Sequence, residues 1–404
     1  MVIYRAKEGD TLHGIARMHG VLPTRLAEDN GLPPDASPTV GQALLIRSPE
    51  RVHRVGEGEG VADIARRHRI SPTRLYQLNP ALGETPPYPG MTLTLSPGEA
   101  PHGALLVLGY ALAATPPSEL AAYLPYLSYL AVLSCRWEAE RGLLPPDDGA
   151  IIGCAGRAGV ALLLTVETTA KELAAILHPS KREAAADGLV ALLRERGYEG
   201  VLLDVDRTDR EGEEDEVWLL GYLRRRLGHT ATVLSTLHPA DQASRALGRA
   251  AGGLLLETHA FSGRFSSPAP ATPYDKVKAT VEAAAATVRP AKLLMGISTR
   301  AADFPVVPVG GGDGRVLPYA EVADLAAKGA DGGYDPVGRI PYLSYREGED
   351  RILFYEDAES LFEKLMLLEH CGLGGLALHP LVGTATPLLL LIAELFRIIK
   401  PHGA

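Results

Sequence analysis

The chain has 404 residues, 46% of them hydrophobic and 22% charged, an ordinary globular profile with length for roughly two to four domains. Forty basic residues against 49 acidic ones leave a net charge of −9, the wrong sign for a protein whose affinity comes from neutralising phosphates, so nucleic acid is not an expected partner. No apolar run approaches the ~18 residues of a membrane span. Three cysteines, Cys135, Cys154 and Cys371, fit neither a disulfide framework nor a zinc site and read as reduced core thiols. The amino terminus lacks the basic segment, apolar stretch and cleavage site of a secretory signal, so synthesis in the cytosol is expected.

Shifting the sequence by 49 residues superposes its first two segments without a gap. Gly9 falls on Gly58, Ile15 and Ala16 on Ile64 and Ala65, His19 on His68, Pro23 to Leu26 on Pro72 to Leu75, Asn30 on Asn79, and Gly41 on Gly90. Each unit begins with a β-like run (Val2 to Ala6; Val52 to Val55), passes through two short helical patterns and closes with a strand (Ala43 to Arg47; Thr92 to Leu95). The order is βααβ, and units 1–48 and 50–97 are the predicted modules, followed by a linker from Ser96 to Gly103.

In the first unit, Tyr4, then Gly9-Asp10-Thr11-Leu12, then Ile15-Ala16, Asn30 and Gly41-Gln42 before the closing strand resemble the LysM module. The resemblance implies binding to polymers containing N-acetylglucosamine, peptidoglycan or chitin. The groove would use Gly9, Asp10, Thr11 and Leu12 on one side and residues just before Gly41 on the other, and the module is expected to bind independently of the remaining chain. Thr11 also suits a helix cap. The second unit reads Gly58-Glu59-Gly60-Val61 at the same place, and is either a second sugar binder or a spacer of the same fold.

From Ala104 onward, eight short apolar runs alternate with amphipathic stretches: Ala104–Tyr110, Tyr129–Arg136, Val160–Val166, Gly200–Asp206, Thr232–Leu237, Gly253–Thr258, Lys292–Ser298 and Leu373–His379. Helices are expected over Lys181–Arg196, Glu213–Leu227, Tyr274–Val288, Asp357–Cys371 and Pro387–Ile399. The pattern predicts an α/β fold, a (β/α)8 barrel over 103–404. A stretch of about 299–356 is too long for a βα connection and reads as an inserted small α+β subdomain. The glycine tract Gly310 to Gly314 lacks the following Lys-Ser/Thr pair of a phosphate loop and reads as a plain loop. The acidic tract Glu211 to Glu216 reads as a solvated loop leading into a helix.

Barrel chemistry collects at the carboxyl ends of the strands, and the fourth run ends Asp204-Val205-Asp206. Residues two apart on a strand share a face, so both carboxylates would look into the barrel mouth, and their repulsion would leave one of them protonated as a general acid. His259 and His379 could join Asp204 around a metal, but no spacing fixes a common centre; no metal and no cofactor is expected.

The segment from Tyr198 to Asp206 resembles the fourth strand of glycoside hydrolase family 18, with its D-G-x-D-x-D-x-E pattern, and in particular the spore-associated LysM branch. Gly109-Tyr110, Met295-Gly296-Ile297, Tyr334-Asp335-Pro336 and Phe354 to Ala358 extend the likeness. The resemblance implies a substrate-assisted retaining mechanism, in which a glutamate protonates the glycosidic oxygen and an aspartate orients the substrate's 2-acetamido group. Here Asp206 stands at the glutamate position, Glu199 and Leu202 at earlier aspartate positions, Glu257 near a tyrosine position and His379 where the family has a tryptophan platform. Asp204 is preserved. The implied site is therefore Asp204, Asp206 and Glu257 for chemistry, with Tyr110 and His379 contacting sugar.

Two function classes follow. One is a wall hydrolase acting weakly on N-acetylglucosaminyl bonds of peptidoglycan or chitin-like polymers; the other is a noncatalytic spore-coat or wall scaffold that keeps the barrel for binding. Either is expected in the spore coat, cortex or cell wall.

Overall fold

The computed structural model describes residues 1–47, 51–83, 85–96, 102–207, 212–239, 241–259, 266–306 and 313–401. Most of the expected linker, Gly310 to Gly312 of the glycine tract, and Glu211 lie outside the described residues.

Each of the first two units is a βααβ module. In the first, Val2–Arg5 pairs antiparallel with Ala43–Ile46 around helices Leu12–His19 and Pro23–Asp29. The recurring asparagine explains why the repeat keeps it. Asn30 Nδ2 donates to Leu26 O (2.8 Å) and Leu45 O (2.9 Å), and its Oδ1 accepts from Leu45 N (2.7 Å), tying the second helix to the closing strand. Asn79 repeats this with Leu75 O, Thr94 O and Thr94 N. A buried amide with each polar atom paired is worth keeping because leaving one unpaired costs about 1–3 kcal/mol.

The modules are docked on the main body. Arg47, 4% exposed, places Nε 2.6 Å from Glu394 Oε1 and Nη1 3.1 Å from Asp29 Oδ1, and donates to Leu78 O of the second module. Tyr126 donates to Gln77 O at 2.8 Å, and Gln77 Nε2 to Pro125 O at 2.6 Å. Leu45 sits in the barrel's own hydrophobic cluster.

Eight parallel strands form that barrel: β1 (Ala104–Leu112), β2 (Tyr129–Glu138), β3 (Ala161–Thr169), β4 (Gly200–Asp206), β5 (Thr232–Leu237), β6 (Gly253–Leu256), β7 (Leu293–Ser298) and β8 (Gly375–His379). β8 pairs with β1 and β1 with β2, closing the ring. Along β4, Val201, Leu203 and Val205 pack outward against the helices, while Leu202 joins Leu108, Leu163 and Leu255 in the interior. Asp204 and Asp206, in register with Leu202, therefore sit on the inward face toward the mouth.

The last helix covers Thr386–Leu395 and not the expected Pro387–Ile399. Phe396 is extended, and Arg397–Ile398 pair with Ala104–Leu105 beside β1. The helix is apolar on nearly every side because Pro387 to Leu395 are buried between barrel and modules, and its one charge, Glu394, is met by Arg47. No helix among the described residues is long and apolar enough to cross a membrane. Cys135 and Cys154 are buried, whereas Cys371 is only half-buried at the end of helix Ala358–Cys371.

The inserted segment carries a five-stranded antiparallel sheet in the order Arg315–Leu317, Ala301–Pro305, Glu349–Phe354, Ile340–Glu347, Asp331–Asp335, with helix Tyr319–Ala327 against it. Asp303, fully buried, holds the sheet through Arg351 (2.8 Å) and Arg315 (2.6 Å).

Candidate active site

The site is assembled by strand ends. Asp204 lies on β4, His238 directly follows β5, Glu257 follows β6, His379 closes β8, and Tyr110 lies on β1. His238 Nδ1 is 2.7 Å from Glu257 Oε2, and Nε2 is 3.0 Å from Asp204 Oδ1, facing it without the alignment of a regular hydrogen bond. The sequence reading missed His238. Its signal was position alone, a polar residue immediately after the carboxyl end of a barrel strand.

Flanked by two carboxylates, His238 has its pKa raised to about 10, chiefly by Asp204 and then by Glu257. It is an imidazolium at neutral pH. Burial works against charge on Glu257, but the hydrogen bond to His238 and the imidazoles around it hold that carboxyl below its ordinary value. The repulsion that the sequence would relieve with a shared proton on the β4 aspartates is thus met, at Asp204, by a cation from β5. Asp206 stands exposed at the rim, across the ladder from Thr169.

Arg207 fixes this arrangement. Its guanidinium bonds Glu216 and reaches Asp241 Oδ2 at 2.6 Å, while the same Asp241 oxygen accepts from His238 N–H at 2.9 Å. The segment following β4 and that following β5 are thereby clamped together. Glu216, expected in a solvated stretch, is fully buried within helix Glu213–Leu227, where Ser235 also bonds it. Burial pushes the Glu216 carboxyl above its ordinary value, against the pull of Arg207 and Ser235.

Beside the carboxylates, the rings of Tyr110 and His379 meet edge to face at 5.1 Å, and those of His379 and His259 lie tilted at 4.8 Å. Burial and then His379 lower the His259 pKa to about 4, and burial also lowers that of His379, so both rings are neutral near pH 7. Burial, then Glu257 and Asp204, keep the Tyr110 hydroxyl protonated. A groove of about 800 Å³, lined among others by Glu257, His259, His379, Arg300 and Phe304, runs between the mouth and the inserted subdomain. Among the described residues no cluster of His, Cys, Asp and Glu is arranged to hold a metal ion.

In the first module Thr11 Oγ1 accepts from Gly14 N–H at 3.0 Å, capping the helix. Asp10 accepts from Tyr4 OH (2.9 Å) and Lys7 N–H (2.7 Å). Leu12 is 1% exposed and belongs to the module core, so its side chain is not available to a sugar. What the Gly9 to Leu12 loop offers outward is chiefly backbone. In the second module His53, Glu59 and His68 occupy the places of Tyr4, Asp10 and His19: His53 Nε2 lies 2.7 Å from Glu59 and Nδ1 3.1 Å from His68 Nε2.

The LysM domain pattern matches residues 4–47 and 53–96, and that of glycosyl hydrolases family 18 matches residues 167–382, more than half the chain. A cortical fragment-lytic enzyme of Bacillus anthracis is 28% identical, the alignment covering 93% of this chain and 94% of that one. Among solved structures, the spore cortex-lytic enzyme SleL of Bacillus cereus superposes with a TM-score of 0.81 at 21% identity, covering 99% of each chain. A chitinase of Chromobacterium violaceum gives 0.64 at 20% identity, over 72% of this chain and 99% of that one. The closed eight-stranded barrel, its mouth of carboxylates and the matching family pattern agree: the chain belongs to glycosyl hydrolase family 18, with two LysM domains ahead of the barrel.

Proposed function

We propose that the protein binds N-acetylglucosamine polymers of the spore or cell-wall peptidoglycan type and cleaves them slowly by substrate-assisted retaining hydrolysis. The observation that carries this reading is the inward register of Asp204 and Asp206 at the mouth, with Asp204 facing the His238 imidazolium. In this reading Asp204 orients the substrate's 2-acetamido group, whose oxygen attacks the anomeric carbon. Asp206 gives its proton to the departing glycosidic oxygen, and water then opens the oxazolinium ring with Asp206 as base. No protein nucleophile is required. Glu257, bonded to His238 Nδ1 at 2.7 Å, serves to fix the imidazole. Tyr110 and His379 supply contact surface for the sugar.

Rate is limited by reach. An aspartate sets the proton back about 1.5 Å relative to a glutamate, and misplacement of this size costs on the order of 100-fold. The second reading, a binding scaffold without turnover, is favoured by one observation: His238 engages both Asp204 and Glu257, so substrate must compete with an existing contact. Incubation with cortex-type peptidoglycan and chito-oligosaccharides, followed by mass spectrometry of new reducing ends, separates the two. Products lost in Asp204→Asn support hydrolysis; no products from the wild type support the scaffold. The relatives named as spore cortex-lytic suggest deposition on the spore, which fractionation of purified spores tests.

A further inference from the structure

A second cavity, of about 530 Å³, lies away from the barrel mouth, where the first LysM module meets both the inserted subdomain and the barrel. Module 1 contributes the loop around Thr39 and Val40, the inserted subdomain contributes Tyr319, Tyr334 and Tyr355, and the barrel contributes Tyr123 and Asp357. The Gly9 to Leu12 loop is not among its walls, so it is not the groove between the two loops of a lone module. Arg5 braces it: Nη1 donates to Gly41 O at 2.7 Å, the guanidinium pairs with Glu359 and also lies over the Tyr334 ring at 4.9 Å.

One residue of the cavity lining is only partly hydrogen-bonded. Asp357 is 3% exposed; its Oδ1 accepts from Ser360 N–H at 2.8 Å as the cap of helix Ala358–Cys371, but Oδ2 is buried with no hydrogen-bond partner among the described residues. Buried polar atoms are ordinarily paired, and Asp357, a residue lining the cavity, keeps one that is not. The free edge of strand Asp331–Asp335 adds backbone at Gly332 and Gly333, close enough to Val40 O that a Cβ on Gly332 would lie 3.1 Å from it.

We propose that this cavity is a composite glycan subsite, holding about one or two pyranose units of the bound polymer between module 1 and the inserted subdomain. Three features select that chemistry. Tyrosine rings offer flat apolar faces to the C–H face of a sugar and polar tips to its hydroxyls. The Asp357 carboxyl, turned toward the cavity on binding, takes a hydroxyl or acetamido N–H. The Arg5 charge is already met by Glu359, so among the described residues the lining has no uncommitted cation for an anionic ligand. Burial pushes the Asp357 carboxyl up to about 6, as befits a carboxyl short of donors that a ligand would provide. The identity of the ligand rests on the glycan reading above, but the site does not depend on hydrolysis at the mouth.

The test uses the full chain, with the N-acetylglucosamine tetramer as probe and hydrogen exchange as readout. The tetramer is expected to protect helix Tyr319–Ala327 and strand Asp331–Asp335, in the wild type and equally in Asp204→Asn. Ala323→Trp, an exposed position lining the cavity, should abolish that protection and lower affinity for insoluble peptidoglycan about tenfold. Asp357→Asn, which can still cap the helix, should weaken protection by a similar factor. Absence of protection at millimolar tetramer, or protection unchanged in both folded variants, overturns the subsite. Loss of hydrolysis with protection intact would count against the mouth chemistry and leave the subsite standing.

Discussion

His238 and Asp204 face each other at 3.0 Å across the barrel mouth, one delivered by β5 and the other by β4. With Glu257 on its other nitrogen, the imidazole is a cation held between two carboxylates.

That contact has a pH signature. The folded His238 pKa of about 10 lies above the ordinary value of 6.5, so protonation stabilises the fold fully below pH ~6.5. The contribution shrinks as pH rises and is gone above about 10. Glu257 has the opposite sign: its carboxyl is depressed, and its contribution is lost as pH falls through its folded value. His238→Gln should therefore lose on the order of 2 kcal/mol at pH 6–7, after discounting for the partial exposure of the pair. Urea denaturation from pH 6 to 11 checks this: the gap between wild type and variant should close toward pH 10, and a constant gap would show that packing rather than charge is responsible.

Arg47 is one of the groups that dock the modules on the barrel. Truncating it to methionine leaves Glu394 buried without its cation, a loss of about 3–5 kcal/mol for a buried pair broken on one side. Replacing both, Arg47→Met with Glu394→Leu, should recover much of it. Denaturation of the three proteins measures the difference, and a double variant no better than the single one would sink the ion-pair account. The same interface bears on the expectation that module 1 binds alone: residues 1–100 on their own would expose Leu45 and Arg47, so the fragment should bind the polymer less well than the full chain.

The parts legible in the sequence are those written in local pattern. The repeat is visible because Asn30 and Asn79 bond the same two elements in each unit, and the barrel strands because parallel strands buried on both sides are continuous apolar runs. His238 was not legible, because its partners Asp204 and Glu257 lie on neighbouring strands whose register no periodicity reveals. Glu216 was hidden for a related reason: it sits in an acidic run like any surface helix start, and its burial depends on Arg207, reaching back from the end of β4, and on Ser235 from β5. Leu12, which the LysM resemblance placed in the sugar groove, is a core residue because it opens the first helix on its inner face.

Gly296 on β7 is the support behind the aromatic cluster. A Cβ there would lie 2.9 Å from Leu256 O and 3.0 Å from His259 Nδ1. Gly296→Ala should push His259 against His379 and cost about 1–3 kcal/mol. The Nε2–H and Cε1–H resonances of both histidines should shift together; an unchanged spectrum with unchanged stability would mean that the strand yields freely.

The decisive substitution is Asp206→Glu. In the hydrolase reading Asp206, at the outer end of β4, is the proton donor set back by one methylene, while Leu202 is packed inside the barrel and Glu257 and His379 line the groove beside the mouth. If reach is the limit, the added methylene should raise the rate of reducing-end release by something like 100-fold, with kcat moving and KM nearly fixed, because the acid acts on the transition state rather than on bound sugar. Asp204→Asn should abolish release in either background. Because His238 already occupies Asp204, His238→Gln in the Asp206→Glu background should change KM more than kcat if substrate displaces the imidazole. A folded Asp206→Glu variant with no detectable release would assign the barrel to binding alone. Strong wild-type release that the longer acid does not improve would instead move the proton donor away from Asp206, and Glu257→Gln would then be the variant that tests whether the His238 pair supplies it.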